Sequence, residues 1–182
     1  MKISTGRTPQ KLLVGLVSGV AMLGLSTSFA AAEEMTEQVT FGWVSAAQDF
    51  RVEEGHTYSL ATFSGSVIAT GEPGLFQYAG AMCAGYLDIG MTVSGGGYCV
   101  FTTPTGTATA EWSCPTAPPS AQMPAGALLA ADCVVTFISG TGVFTGISGA
   151  TPYQGVIMAA NPDGTVSGVS LYPGGLTYTL PN

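Results

Sequence analysis

The chain has 182 residues, of which 46% are hydrophobic and only 8% charged, with 26 glycines and a net charge of −7. This apolar content, with aromatics spread along the chain, excludes a disordered polymer. The acidic balance excludes partners held by positive charge, nucleic acid and anionic membrane surfaces among them.

The N-terminus reads as a targeting segment. Lys2, Arg7 and Lys11 lead into an apolar run from Leu12 to Leu25, and Ser28-Phe29-Ala30-Ala31-Ala32 supplies small residues for cleavage. That is the plan of a cleavable signal helix over residues 1–32, with an apolar run too short for a comfortable membrane span. It carries no twin arginine and has no cysteine near the cleavage region, which favours the general secretory route. Cleavage after Ala32 leaves one domain, 33–182, in which Arg51 is the single basic residue against 11 acidic ones. The expected location is the bacterial periplasm or the secreted medium, with no membrane span after processing.

No repeat of fixed period and no interior stripe at helical spacing occurs in this domain, so it reads as all-β with frequent turns. Glu33 to Glu37 is expected to be a frayed acidic start. Gln38 to Ser45 is the first strand, with Val39, Phe41 and Trp43 on one face. Ala46 to Gly55, polar and charged, reads as a loop or single helical turn. His56 to Ala69 is one strand or two meeting near Gly65, and Thr70 to Gly74 is a turn. Ala81 to Val93 follows as one or two strands, and Gly95-Gly96-Gly97 reads as a flexible turn. Tyr98 to Thr102 and Thr107 to Cys114 pair across Thr103-Pro104-Thr105-Gly106.

Pro115 to Ala127 holds four prolines and reads as a surface loop. Leu128 to Ser139 is a strand, and Gly142 to Ile147 reads as its partner across a tight turn. Tyr153 to Ala160 and Thr165 to Tyr172 flank Asn161-Pro162-Asp163-Gly164, the clearest hairpin signal in the chain. Leu176 to Leu180 is the last strand. Eight to ten strands suffice for a single antiparallel β-barrel of about eight strands, which removes exposed edges. A two-sheet β-sandwich is the alternative.

Gly140, Gly142 and Gly146 give G-x-G-x-x-x-G with no lysine after it, which does not fit a phosphate loop. Taken with Thr141, Phe144, Ile147, Gly149 and Tyr153, the stretch resembles the signature of small secreted bacterial proteins of the allene oxide cyclase-like, lipocalin- and dirigent-like barrel group. Tyr98-Cys99 and Trp112-Ser113-Cys114 add to that likeness. The resemblance implies an eight-stranded antiparallel barrel. It carries over no cyclase residues, since no motif here accepts them one by one.

The four cysteines, Cys83, Cys99, Cys114 and Cys133, read as two disulfides in an exported chain. Of three possible pairings, Cys83–Cys99 and Cys114–Cys133 are favoured because each joins neighbouring strands. No metal-ligand spacing is present, His56 is the sole histidine, and no cofactor is expected. Asp88, Glu111 and Asp132 lie in or beside strands, and an inward one among them would suit acid–base work. Glu111 is expected to face outward if Trp112 faces the core. Trp43, Tyr98, Phe101, Trp112, Phe137, Phe144 and Tyr153 are the candidate lining of an apolar cavity, because an eight-strand barrel either fills with side chains or holds one small ligand. The expected function is non-enzymatic binding of a small apolar ligand or a protein partner. The alternatives are an isomerase or cyclase working in the barrel, and a structural or surface-assembly protein.

Overall fold

The computed structural model describes residues 32–182; apart from Ala32, the expected signal helix lies outside them. Ten strands follow in chain order: β1 (Glu33–Glu37), β2 (Val39–Glu53), β3 (His56–Ala69), β4 (Gly80–Ile89), β5 (Val93–Thr103), β6 (Gly106–Ala117), β7 (Leu129–Gly140), β8 (Gly149–Ala160), β9 (Thr165–Leu171) and β10 (Leu176–Leu180). Strands β2 to β9 pair in sequence order, and β2 also pairs with β9, closing an eight-strand barrel. All the pairings are antiparallel. The all-β barrel is therefore the fold, and a sandwich is not.

Strict alternation drives the closure. Along β6, Ala108, Ala110, Trp112 and Cys114 are buried while Glu111, Ser113 and Pro115 face solvent. Period-two burial of this kind fixes which face is the core. The Asn161-Pro162-Asp163-Gly164 turn joins β8 to β9, with Gly164 at φ 83°.

Four local expectations are corrected. Residues 46–53 extend β2, because their backbone pairs with β3 from Ala46↔Thr62 to Glu53↔His56; ladder pairing outweighs their polarity. Gly95-Gly96-Gly97 is no turn but the interior of β5, paired on both sides. Gly142 to Phe144 is a single 3-10 turn rather than a strand. Glu33–Glu37 is not frayed but pairs with β10 in a two-strand ribbon outside the barrel.

That ribbon helps seal the end of the barrel where β2 begins. Phe76, from the segment between β3 and β4, enters the interior and is fully buried. Its ring meets Phe144 at 4.8 Å, Tyr178 at 5.2 Å, Phe137 at 5.3 Å and Phe101 at 5.6 Å between centroids. Glu37, 5% exposed, accepts from Leu75 N–H at 2.7 Å and Phe76 N–H at 3.1 Å. The Tyr178 hydroxyl also donates to Glu37. The glycine-rich stretch makes this seal possible. Gly142 takes φ 60°, open to glycine without a Cβ clash. A Cβ on Gly149 would sit 3.2 Å from Tyr178 Cα, so β10 can lie close against β8. Thr151 Oγ1 then donates to Thr177 O at 2.7 Å and fixes the two strands together.

Candidate functional site: a cavity on the open side of the barrel

Beyond the seal, the barrel interior is not filled. A cavity of about 80 Å³ lies there, floored by Phe41 and Phe101 and reaching toward Leu87, Val93, Leu129 and Ile157 near the far strand ends. Its lining holds no acidic, basic or histidine side chain. The polar groups on it are the Trp43 and Trp112 indoles, the phenols of Tyr153 and Tyr172, and Ser170.

The wall is built from inward positions of several strands. Cys83–Cys99 joins β4 to β5 and Cys114–Cys133 joins β6 to β7, and all four cysteines line the cavity. These are the pairings favoured from the sequence because each joins neighbouring strands, and they leave no free thiol among the described residues. The two indoles fit because glycines lie beneath them. A Cβ on Gly85 would stand 2.6 Å from Trp112 Cζ2, and one on Gly95 would stand 3.1 Å from Trp112 Cζ3. A Cβ on Gly168 would stand 2.4 Å from Trp43 Cζ2. Phe63 packs edge-on between the two indoles, 5.3 Å from Trp43 and 5.8 Å from Trp112.

The electrostatics of the lining keep it neutral. Burial pushes the Tyr172 phenol above its usual range. Burial, and then the neighbouring Tyr172, push Tyr153 up as well. The two rings lie 5.6 Å apart. Both phenols are therefore held in the protonated form. Trp112, 6% exposed, carries the one buried side-chain nitrogen or oxygen among the described residues that lacks a hydrogen-bond partner, Nε1.

Of the seven aromatics expected to line a cavity, Trp43, Phe101, Trp112 and Tyr153 do so. Tyr98 does not: it is 56% exposed on the outer wall. Period two explains this, since Cys99 faces inward to meet Cys83, so its neighbour must face out. Phe137 and Phe144 are buried, but in the seal around Phe76. Sequence reasoning missed Phe41, Phe63 and Tyr172 as lining. The alternation Val39-Phe41-Trp43 already carried the signal for the first.

The titratable residues considered for catalysis lie elsewhere. Glu111 and Asp132 are exposed on outward positions. His56 Nε2 lies 2.5 Å from Asp88 Oδ1, and Nδ1 lies 3.9 Å from Glu53 Oε1; none of the three lines the cavity. Among the described residues no three His, Cys, Asp or Glu side chains gather as a metal site, and no helix is long and apolar enough to cross a membrane. No protein-family model, curated protein or solved structure matches the chain.

Proposed function

We propose that this chain is an exported, disulfide-stapled barrel that holds a small apolar guest on the open side of its interior, without transforming it. The carrying observation is the uncharged, aromatic-walled cavity of about 80 Å³ beside a fully packed seal. An apolar cavity free of charge is the kind that stays dry and accepts apolar guests. The volume is well below the roughly 300–1,000 Å³ of drug-sized pockets. The guest is therefore a compact molecule, or the apolar tip of a longer one. The closed barrel is also in keeping with the resemblance to the allene oxide cyclase-like group, and we include that kinship in the proposal.

Isomerase or cyclase chemistry has less support. The lining offers no carboxylate or imidazole, and its two buried phenols are poor bases because burial keeps them protonated. A protein partner is the second reading. Met82 and Val100 face each other on β4 and β5 beside Tyr98, and the three are 68%, 42% and 56% exposed.

Both tryptophans of the chain line the cavity, so intrinsic fluorescence reports its occupancy. Titrating the oxidised, solvent-extracted protein with cyclopentane should change the emission saturably. A native mass spectrum before extraction should show a small molecule that extraction removes. An emission unaffected by cyclopentane, together with a bare mass before extraction, would overturn the guest-binding reading. Self-association on sedimentation that Met82→Glu abolishes would then favour the partner reading.

A further inference from the structure

The barrel closes over only part of β2. Strand β9 covers one edge of β2 from Thr40 to Ala46. Strand β3 covers the other edge from Val39 to Glu53. Residues 47–53 therefore run past β9 with one edge unpaired, and among the described residues no backbone hydrogen bond reaches that edge. An open strand edge is a template for another strand.

The side chains along this edge have a self-complementary order. Successive ones alternate between faces. Asp49 and Arg51 share the inner face, where Ser59 Oγ donates to Asp49 Oδ1 at 2.6 Å. Phe50 stands on the outer face, 46% exposed, beside Tyr58, its partner on β3. Tyr58 in turn stacks on Tyr86 of β4, with ring centroids 5.7 Å apart. Arg51 is the single basic residue of 33–182 and is exposed. It makes no ion pair within its own chain, since both ion pairs among the described residues belong to His56.

We propose that residues 48–52 pair antiparallel with the same residues of a second copy, about a two-fold axis at Phe50. That axis sets Asp49 of each copy opposite Arg51 of the other, so two carboxylate–guanidinium pairs form at once. The two Phe50 rings meet on the outer face and extend the aromatic row from Tyr58. Moving the axis to Asp49 or Arg51 sets like charges opposite each other, which is destabilising and selects the register. A two-fold contact uses up the edge it pairs, so assembly stops at two copies. The bulge between Arg51 and Glu53 keeps the ladder short, and the dimer belongs with small, transient interfaces. The proposal goes beyond the guest-binding reading and does not rest on it.

The competing account is that Asp49 and Arg51 block pairing, as charges on strand edges often do. Sedimentation equilibrium of the full oxidised protein, carried to millimolar concentration at low salt, separates the two. The wild-type chain should pass from monomer to dimer. Arg51→Glu should weaken the dimer about tenfold or more, because two attractive cross-strand pairs become repulsive. Asp49→Lys should do the same. An equimolar mixture of the two variants should dimerise again, since each then offers the charges the other lacks. On the wild-type chain, amide exchange within residues 48–52 should slow as concentration rises, and exchange around Met82 and Val100 should not.

A wild-type chain that stays monomeric at millimolar concentration would overturn the proposal. So would an Arg51→Glu dimer as tight as wild type, or a mixture of the two variants that stays monomeric. Amide protection at Met82 and Val100 in place of residues 48–52 would overturn it too. Exchange is read on the wild-type chain, so it decides the matter even where Asp49→Lys, which loses the Ser59 hydrogen bond, does not fold.

Discussion

The two ends of one barrel interior are held by different means. At the sealed end, packing and hydrogen bonding do the work: Phe76, Phe144, Tyr178 and Leu176 are almost wholly buried, and the Glu37 carboxylate is saturated with donors. On the cavity side, packing is incomplete, and two covalent staples hold β4 to β5 and β6 to β7. The contrast has a physical logic. A barrel that keeps a cavity gives up the dispersion contacts that would fill it. A disulfide restores stability without occupying that volume, chiefly by restricting the unfolded chain. Removing Cβ atoms at Gly85, Gly95 and Gly168 then admits two indoles whose faces shape the remaining space.

The largest expected effect lies in the seal. Phe76→Ala should cost about 3–5 kcal/mol, since it removes a ring at the centre of an aromatic cluster. Leu87→Ala, on the partly buried cavity wall, should cost about half as much or less by the same cavity argument. Urea unfolding measures both, and equal losses would erase the distinction between the two ends. Next, replacing Cys83 and Cys99 together with alanine should cost about 2–4 kcal/mol. That change should also weaken cyclopentane binding, whereas Phe76→Ala acts mainly on stability.

Glu37→Gln should cost about 1–3 kcal/mol, because the amide retains one acceptor oxygen where the carboxylate had two and turns an NH₂ toward existing donors. The midpoint of urea unfolding at neutral pH reads this. The smallest effect concerns alkaline pH. Burial raises the phenols of Tyr153, Tyr172 and Tyr178, with the Glu37 carboxylate adding to the rise at Tyr178. A raised phenol keeps its proton in the folded state while the unfolded chain loses it near pH 10. Its contribution is thus complete below about pH 10 and is lost as the pH rises further. Tyr172→Phe should recover about 0.8 kcal/mol of that loss at pH 10.5. A loss unchanged by the substitution would contradict the assignment.

Much of the barrel was legible in the sequence, because its signals are local. The Asn161–Gly164 turn and the alternation through Trp112 and Cys114 each specify a hairpin or a face within a dozen residues. The cysteine pairing was legible for the same reason, each bridge linking consecutive strands. What escaped depends on residues far apart in the chain. Glu37 reads as one more surface acid until Leu75, Phe76 and Tyr178 supply donors from distant segments. Gly95 to Gly97 reads as a turn until Trp112 arrives from the next strand and needs the missing side chain. Phe144 reads as cavity lining until Phe76 is seen to plug that end. Tyr98 is different: its outward direction follows from Cys99 by parity, and the sequence alone contained that clue.

The most direct test of the two-ended interior is a crystal of the oxidised protein pressurised with xenon, a probe that marks dry apolar cavities. The account predicts xenon between the indoles of Trp43 and Trp112 and the phenols of Tyr153 and Tyr172, and none among Phe76, Phe144 and Tyr178. Xenon within the Phe76 cluster, or none on the cavity side, would contradict it.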